Sequence, residues 1–310
     1  MVIGVIETDW KSKAEQLKFD ESKSWREVAN EIKSLYFPST PYEKVIEKVR
    51  THIRGTDRYK AHRIVTGNPA ESEESRPVGV FSDPHIPFDH PNYLKFVCDT
   101  FKKYNVGQIV CLGDLVDHHA LSRFQTEPCA KGAYDELDMS IERVKEYVKV
   151  FQNVKMCRGN HDAIPVRQAA AVGIGERYLK PFSEVLGLPA TWEIEDEFII
   201  NNVLYKHGIN CTGKDGALNT AIQERMSTVI GHSHAFGGVK YSANKRSLIF
   251  GMNTGCGIDV DAYAFAYGKY DKNRPTIGCG IVFNESNAIF VPMGREYFRS
   301  YENSPIPERD

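Results

Sequence analysis

Acidic, amide and imidazole side chains gather at four places in the chain, each just after a short apolar run. These are Ser82-Asp83-Pro84-His85, Gly113-Asp114-Leu115-Val116-Asp117, Gly159-Asn160-His161-Asp162 and Gly231-His232-Ser233-His234. A further imidazole, His207, ends the run Val203-Leu204-Tyr205-Lys206 and is followed by Gly208. Carboxylate, carboxamide and imidazole donors without a thiolate suit manganese, iron or zinc in a hydrolytic site better than a cysteine-type structural zinc site. An Asp and a His two residues apart in a turn can close on one ion. A neighbouring glycine lets the backbone bend and approach closely. A lone Asp-x-His or His-x-His pair is more often incidental, and His207 alone carries no message. The serial order, each cluster at the end of an apolar run, is what points to metal chemistry.

Side chains that must converge need rigid supports, and a strand whose C-terminal loop opens onto a crevice provides one. Short β-branched runs predict strands over residues 78–81, 108–112 and 154–157, alternating with amphipathic helices over 93–104 and 134–151. The second helix carries Leu137, Ile141, Val144, Val148 and Phe151 as its apolar stripe. Past residue 195 the strands lie closer together and the pattern predicts antiparallel pairing of 198–205, 228–230, 237–241, 247–252 and the pair flanking the Asn284–Asn287 turn. Ahead of these elements, Trp25, Val28, Ala29, Ile32 and Leu35 recur at helical spacing, with Ser24 as N-cap and Glu27 three residues on. Pro38 and Pro41 interrupt the chain, and a second helix follows with Tyr42, Val45, Ile46, Val49 and Ile53 on one face. Residues 1–65 therefore read as a small helical module, 66–77 as a polar, breaker-rich linker and 78–310 as an α/β domain.

Composition excludes some classes. With 310 residues and a formal net charge of −2, no global field marks a nucleic-acid or membrane binder, so such preferences must come from local patches. The seven cysteines are odd in number and contain no CxxC pair, which predicts free thiols in a reducing compartment. Residues 1–9 turn acidic too soon for a signal peptide, and no apolar stretch has membrane-spanning length, so the expected location is cytoplasmic.

The series D-x-H, GDxxD, GNHD, H and GHxH over residues 78–295 resembles the calcineurin-like metallophosphoesterases. That resemblance implies two stacked mixed β-sheets flanked by helices, with the site at the C-terminal ends of strands. It implies that Asp83, His85 and His234 hold one divalent ion, that Asn160, His207 and His232 hold a second, and that Asp114 bridges them. The two ions, manganese or else iron or zinc, would activate a water for attack on a phosphate ester. His161 resembles the family's catalytic histidine and Asp117 the carboxylate that orients it. Asp162 stays open between a supporting role and an N-cap before Ile164.

The motifs depart from two branches of that family. His118 stands after Asp117 where the protein phosphatases usually carry arginine, and the third motif ends in Asp162 where theirs ends in Glu. Asp117 occupies the position where the double-strand-break nucleases usually carry His. A more generic phosphodiesterase on nucleic acid or nucleotides is the leading expectation, with a run Gly-Asp-Leu-Val-Asp-His-His similar to that of phage-borne phosphoesterases. A phosphomonoesterase acting on small metabolites or nucleotides is the alternative, and a DNA-binding adaptor with a vestigial phosphoesterase domain is a third. His118 and His119 have no role in the motif; they could reach the substrate or sit on a solvent-facing loop. Arg123, Arg158 and Arg167 could offer guanidinium contacts to phosphate or could be surface residues. The aromatic loop 259–270 reads as core rather than a base-stacking surface, and Asn253–Gly257 as a structural turn. In the N-terminal module, the Trp25–Ala29 opening is similar to helix-turn-helix units, and from Glu43 to Arg63 the basic residues Lys44, Lys48, Arg50, Arg54, Arg58, Lys60 and Arg63 outnumber Glu43, Glu47 and Asp57. DNA contact through this module stands beside a packing or dimerisation role, and the oligomeric state is left open.

Overall fold

Apolar residues four apart carry the start of the chain into helices, and alternating apolar residues carry the rest into sheets. The computed structural model describes residues 10–20, 25–55, 76–122, 130–211, 213–262 and 274–297. Residues 1–9, Ser24, the expected linker apart from Arg76 and Pro77, Arg58, Lys60, Arg63, Arg123, Cys129 and most of the aromatic loop 259–270 lie outside the described residues. The chain divides into two compact units, Met1–Glu71 and Ser72–Asp310.

In the first unit, residues 10–20 are helical and are followed by α1 (Trp25–Tyr36) and α2 (Tyr42–Gly55). Trp10, Ala14 and Leu17 meet Val28 and Ile32 of α1 and Val45, Val49 and Ile53 of α2 in one core. The i, i+4 spacing puts each set on one helix face. Leu35, expected on that face, is 58% exposed. The Lys48 ammonium lies 4.7 Å from the Phe37 ring centroid and 5.4 Å from that of Trp10.

The second unit contains two mixed sheets. Strands β1 (Val78–Phe81), β2 (Gln108–Cys111), β3 (Val154–Cys157) and β4 (Trp192–Glu195) are mutually parallel. The second sheet contains β5 (Glu197–Ile200), β6 (Val203–Lys206), β7 (Ser227–Ile230), β8 (Gly237–Ala243) and β9 (Leu248–Thr254), in the order β5-β6-β7-β9-β8. The hairpin β10 (Gly278–Asn284) and β11 (Asn287–Pro292) joins the first sheet antiparallel to β1. Val78, Val80, Val110 and Leu112 face Tyr205, Val229, Phe250 and Met252 between the sheets. Phe81, Cys111 and Met156 alternate to the other face, against α3 (Tyr93–Lys103) and α4 (Ala133–Val150), through Val97, Phe101, Val144 and Tyr147.

Two expectations are corrected here. Residues 198–205 form a hairpin instead of one strand, because Asn201 and Asn202 take φ of 50° and 61° and close a two-residue turn. The second sheet is mixed instead of antiparallel: β6, β7 and β9 run parallel. A helix missed in the sequence, Gly216–Glu224, carries the chain from β6 back to β7. Cys111, Cys157 and Cys279 are buried in strands, and all six described cysteines are free thiols. Among the described residues, no helix is long and apolar enough to cross a membrane.

Candidate metal centre

The parallel order brings the C-terminal ends of β1, β2 and β3 to one edge, and those of β6 and β7 carry His207 and Gly231-His232. The loops then lock to one another through backbone groups. Asp83 N–H donates to Gly113 O at 3.1 Å, His85 N–H to Asp114 O at 3.1 Å, and Gly231 N–H to His207 O at 3.0 Å. The second and third loops cross so closely that a Cβ on Gly159 would lie 2.2 Å from Asp114 N, and Gly113 there takes φ of 98°. Side chains are therefore excluded at this crossing.

Asp162 fastens the crossing. Its carboxylate accepts N–H groups from Asp114 (2.9 Å), Leu115 (2.9 Å), Val116 (3.3 Å) and Gly159 (2.8 Å). It does not cap the helix that follows, whose N-cap is Ala163. That resolves the role left open in the sequence.

The candidate ligands form two clusters about Asp114. In the first, His85 Nε2 lies 3.1 Å from His234 Nε2, and His234 Nε2 lies 3.2 Å from Asp83 Oδ1. In the second, His207 Nε2 lies 3.0 Å from Asn160 Oδ1, and the His207 and His232 rings are 5.1 Å apart. Asp114 Oδ2 stands 3.6 Å from His85 Nε2 and 3.3 Å from His207 Nε2. Asp83-His85-His234 and Asp114-His207-His232 each keep their donor atoms within 4.8 Å of one another. Asp83, His85, Asp114 and His232, four of the seven candidate ligands, take φ between 49° and 61°. Left-handed backbone at non-glycine residues costs on the order of 1–3 kcal/mol each and persists where surrounding structure imposes it.

The remaining nitrogens explain the imidazole orientations. His207 Nδ1 donates to Leu112 O at 2.8 Å, so Nε2 keeps its lone pair toward the cluster. His85 Nδ1 donates to Asp117 Oδ1 at 2.6 Å, with the same result. This contact was missed in the sequence, where Asp117 was assigned to His161 alone. His161 Nδ1 lies 2.7 Å from Asp117 O and 3.2 Å from Asp117 Oδ1, and its N–H donates to Asp114 Oδ1 at 2.7 Å. All nine residues singled out in the sequence thus converge. Carboxylate, carboxamide and imidazole donors, buried at Asp83, His85, Asp114 and His207 and half-buried at Asn160, His232 and His234, fit divalent cations bound through oxygen and nitrogen.

The electrostatics are those of a buried cluster. Burial opposes ionisation of Asp83 and Asp114, but hydrogen bonds and the fields of the surrounding histidines outweigh it and hold both carboxyls below their usual range. Burial would lower the pKa of His161, yet the Asp117 hydrogen bond and the Asp114 and Asp117 charges raise it to about 9. Burial, with Asp114 adding, pushes Asp162 up to about 7 against its N–H donors.

His118 and His119 begin a short turn after Asp117. Glu136 of α4 fixes this turn, accepting N–H groups from His119 at 2.6 Å and Ala120 at 2.7 Å. Nothing in the sequence marks Glu136, since its partners are main-chain groups of another element. His118 itself takes φ of 53°, and its Nε2 is buried without a hydrogen-bond partner among the described residues. A cavity of about 460 Å³ opens beside His161, lined by Leu121, Ser122, Asn160, Ile164, Arg167 and Gln168. Arg167 donates to Asn160 O at 2.9 Å, whereas Arg158 is exposed and lies outside that lining.

The family described as calcineurin-like phosphoesterase matches residues 76–249. The Gene 54 protein of Mycobacterium phage L5 is 28% identical over 186 residues, covering 53% of this chain and 71% of the phage protein. The Gene 54 protein of Mycobacterium phage D29 is 26% identical over 200 residues, with coverage of 53% and 71%. Among solved structures, Vacuolar Protein Sorting 29 from Cryptosporidium parvum aligns with a TM-score of 0.36 at 10% identity, over 70% of this chain and 96% of that one. From the family match over more than half its length, this chain belongs to the calcineurin-like phosphoesterases and is a metal-dependent hydrolase of phosphate esters.

Proposed function

We propose that the chain is a dinuclear phosphodiesterase acting on nucleic acid or nucleotides. Asp83, His85 and His234 hold one divalent cation, Asn160, His207 and His232 the other, and Asp114 serves both. The observation that carries this reading is the position of Asp114 Oδ2, within 3.6 Å of the imidazole nitrogen of one set and 3.3 Å of that of the other. Bound there, two cations would supply an activated water and charge compensation for a phosphate ester. Manganese is the ion to test first, since the donors combine carboxylates with imidazoles.

The chain's own residues do the rest. Leu112 O and Asp117 fix the tautomers of His207 and His85. Asp117 also engages Nδ1 of His161, which leaves Nε2 as the nitrogen that meets the substrate and protonates the leaving oxygen. The diester preference is supported by the adjoining cavity. It offers apolar wall from Leu121 and Ile164 and a guanidinium from Arg167, room for the second organic group that distinguishes a diester from a monoester.

The N-terminal unit is proposed to contact DNA through α2. Lys44, Lys48 and Arg50 are exposed, with the Lys48 ammonium lying over the Phe37 and Trp10 rings, and the exposed Glu43 and Glu47 offset part of the charge. Affinity for DNA through this unit would fall steeply with salt. Free thiols throughout the described chain suit a reducing, cytoplasmic setting.

The test strips the protein of metal, titrates Mn²⁺ back, and compares rates on bis-(p-nitrophenyl) phosphate and p-nitrophenyl phosphate. The expected result is metal-restored hydrolysis that favours the diester. A preference for the monoester would replace this reading with a phosphomonoesterase. Metal binding without activity on either ester would favour a DNA-binding adaptor.

A further inference from the structure

A second cavity, of about 830 Å³, reaches Asp162 and lies across α5 (Ile164–Ala171), the helix that follows His161, from the cavity beside that histidine. Its lining includes Asp162 and Ala163, the two residues after His161, and Val166 of α5. The cavity beside His161 takes Ile164, Arg167 and Gln168 of the same helix. At about 100° per residue, Val166 lies roughly opposite Ile164 and Gln168 and about a quarter turn from Arg167. The two cavities are thus separated by one helix, about 10–12 Å across with its side chains.

The charges of the second cavity are one-sided. Arg158, Arg177 and Lys180 line it, and Glu176 is its one exposed carboxylate among the described lining residues. The other carboxylate there, Asp162, is committed to four backbone N–H groups. Lys180 pairs with Glu184 at 3.0 Å, whereas Arg158 and Arg177 pair with no carboxylate among the described residues. Ile194 of the edge strand β4 lines the cavity, so Glu193 and Glu195 alternate to the opposite face of that strand. Beside Arg177, the Tyr178 ring is 87% exposed, on a segment that also exposes Val172. Guanidinium groups without internal partners bind phosphate in a forked geometry. Tyr178 follows Arg177 in the chain and stands outside the lining itself, and an exposed ring at the edge of a basic cavity is a surface on which a base can stack.

We propose that this cavity is a second phosphate subsite, which holds the nucleic-acid strand flanking the scissile diester, with Tyr178 stacking on one of its bases. The proposal rests on the nucleic-acid reading above. A strand lying in both cavities would cross the helix with roughly three nucleotides at the duplex rise per strand. The recognition is of backbone charge and base faces, so it carries no sequence preference.

The test uses the full chain with Mn²⁺ and compares wild type, Arg177→Glu, Arg177→Gln and Tyr178→Ala on bis-(p-nitrophenyl) phosphate and on a labelled single-stranded oligonucleotide. The small diester should be hydrolysed equally by all four proteins, which also reports that they are folded. On the oligonucleotide, Arg177→Glu should lower kcat/KM by roughly tenfold, mainly through KM, and reduce its slope against log salt by about 1. Arg177→Gln and Tyr178→Ala should give smaller losses in the same direction. Equal oligonucleotide cleavage and equal salt slopes in all four proteins would overturn the subsite while leaving the nuclease reading in place. A parallel fall on both substrates would also overturn it, since the residues would then act on the fold or the metal centre. Should wild type cleave the small diester and no oligonucleotide, the nucleic-acid reading fails and takes the subsite with it.

Discussion

Asp162 binds four main-chain N–H groups from two loops that must cross without side chains between them. Asp162→Asn would turn an amide nitrogen toward donors that need an acceptor. The expected cost is about 3 kcal/mol in urea unfolding, together with reduced metal content by atomic spectroscopy. Full metal content and unchanged stability would show that the crossing does not depend on this carboxylate. His161 belongs to a different class, because its Nδ1 faces Asp117 and only its main-chain N–H touches Asp114. His161→Ala should keep its metal and lose roughly 10²–10⁴ in kcat on the diester. Loss of metal from that variant would make His161 a ligand. Asp114→Asn should lose both metal and activity, and normal turnover in it would sink the dinuclear assignment. The sequence displayed the ligand candidates because coordination demands particular side-chain types in a particular order. It hid the work of Asp162 and Glu136, whose partners are main-chain groups that every residue possesses. It also hid the Asp117–His85 contact, since residues 32 apart meet only after β1 and β2 pair.

The loop after β2 shows how an element can hold its residues in costly states. Asp114 and His118 both take left-handed backbone, and His118 Nε2 is buried without a partner among the described residues. Burial lowers the His118 pKa to about 4, the Asp117 charge opposing and His161 adding. The unfolded chain titrates near 6.5, so folding favours the neutral ring. That contribution is complete above pH 6.5 and is lost as pH falls toward 4. Relative to His118→Asn, whose side chain tolerates left-handed backbone, wild type should lose about 2 kcal/mol more stability between pH 7 and 4.5. Urea unfolding of both proteins in chelator at the two pH values measures this, and identical acid limbs would remove His118 from the account. At this scale β1, β2 and β3 were legible from their β-branched runs. The hairpin at Asn201-Asn202 was not, because both of its strands share one continuous apolar pattern and only the left-handed turn separates them. The parallel pairing of β6 with β7 depends on the helix Gly216–Glu224, whose weak apolar stripe is pressed onto β7 and β9 by tertiary packing. Without that helix in view, closely spaced strands read as a meander.

The two units each enclose a core of their own, one built on Trp10, Leu17, Ile32 and Val49, the other on the faces of the two sheets. All seven candidate metal ligands belong to the second. Cation binding to a folded site stabilises by mass action only the unit that contains it, by about 2.7 kcal/mol at a hundredfold excess over Kd. Calorimetry of the full chain is therefore expected to show two transitions, with Mn²⁺ raising one of them by roughly 5–10 °C. Deletion of residues 1–75 should remove the insensitive transition and leave kcat/KM on bis-(p-nitrophenyl) phosphate unchanged. If DNA contact resides in α2, the same deletion should weaken DNA binding and flatten its salt dependence, because Lys44, Lys48 and Arg50 leave with it. A single transition that moves as a whole with Mn²⁺ would mean that the chain unfolds as one cooperative body. The small-ester activity of the truncated chain would then be expected to fall with its stability.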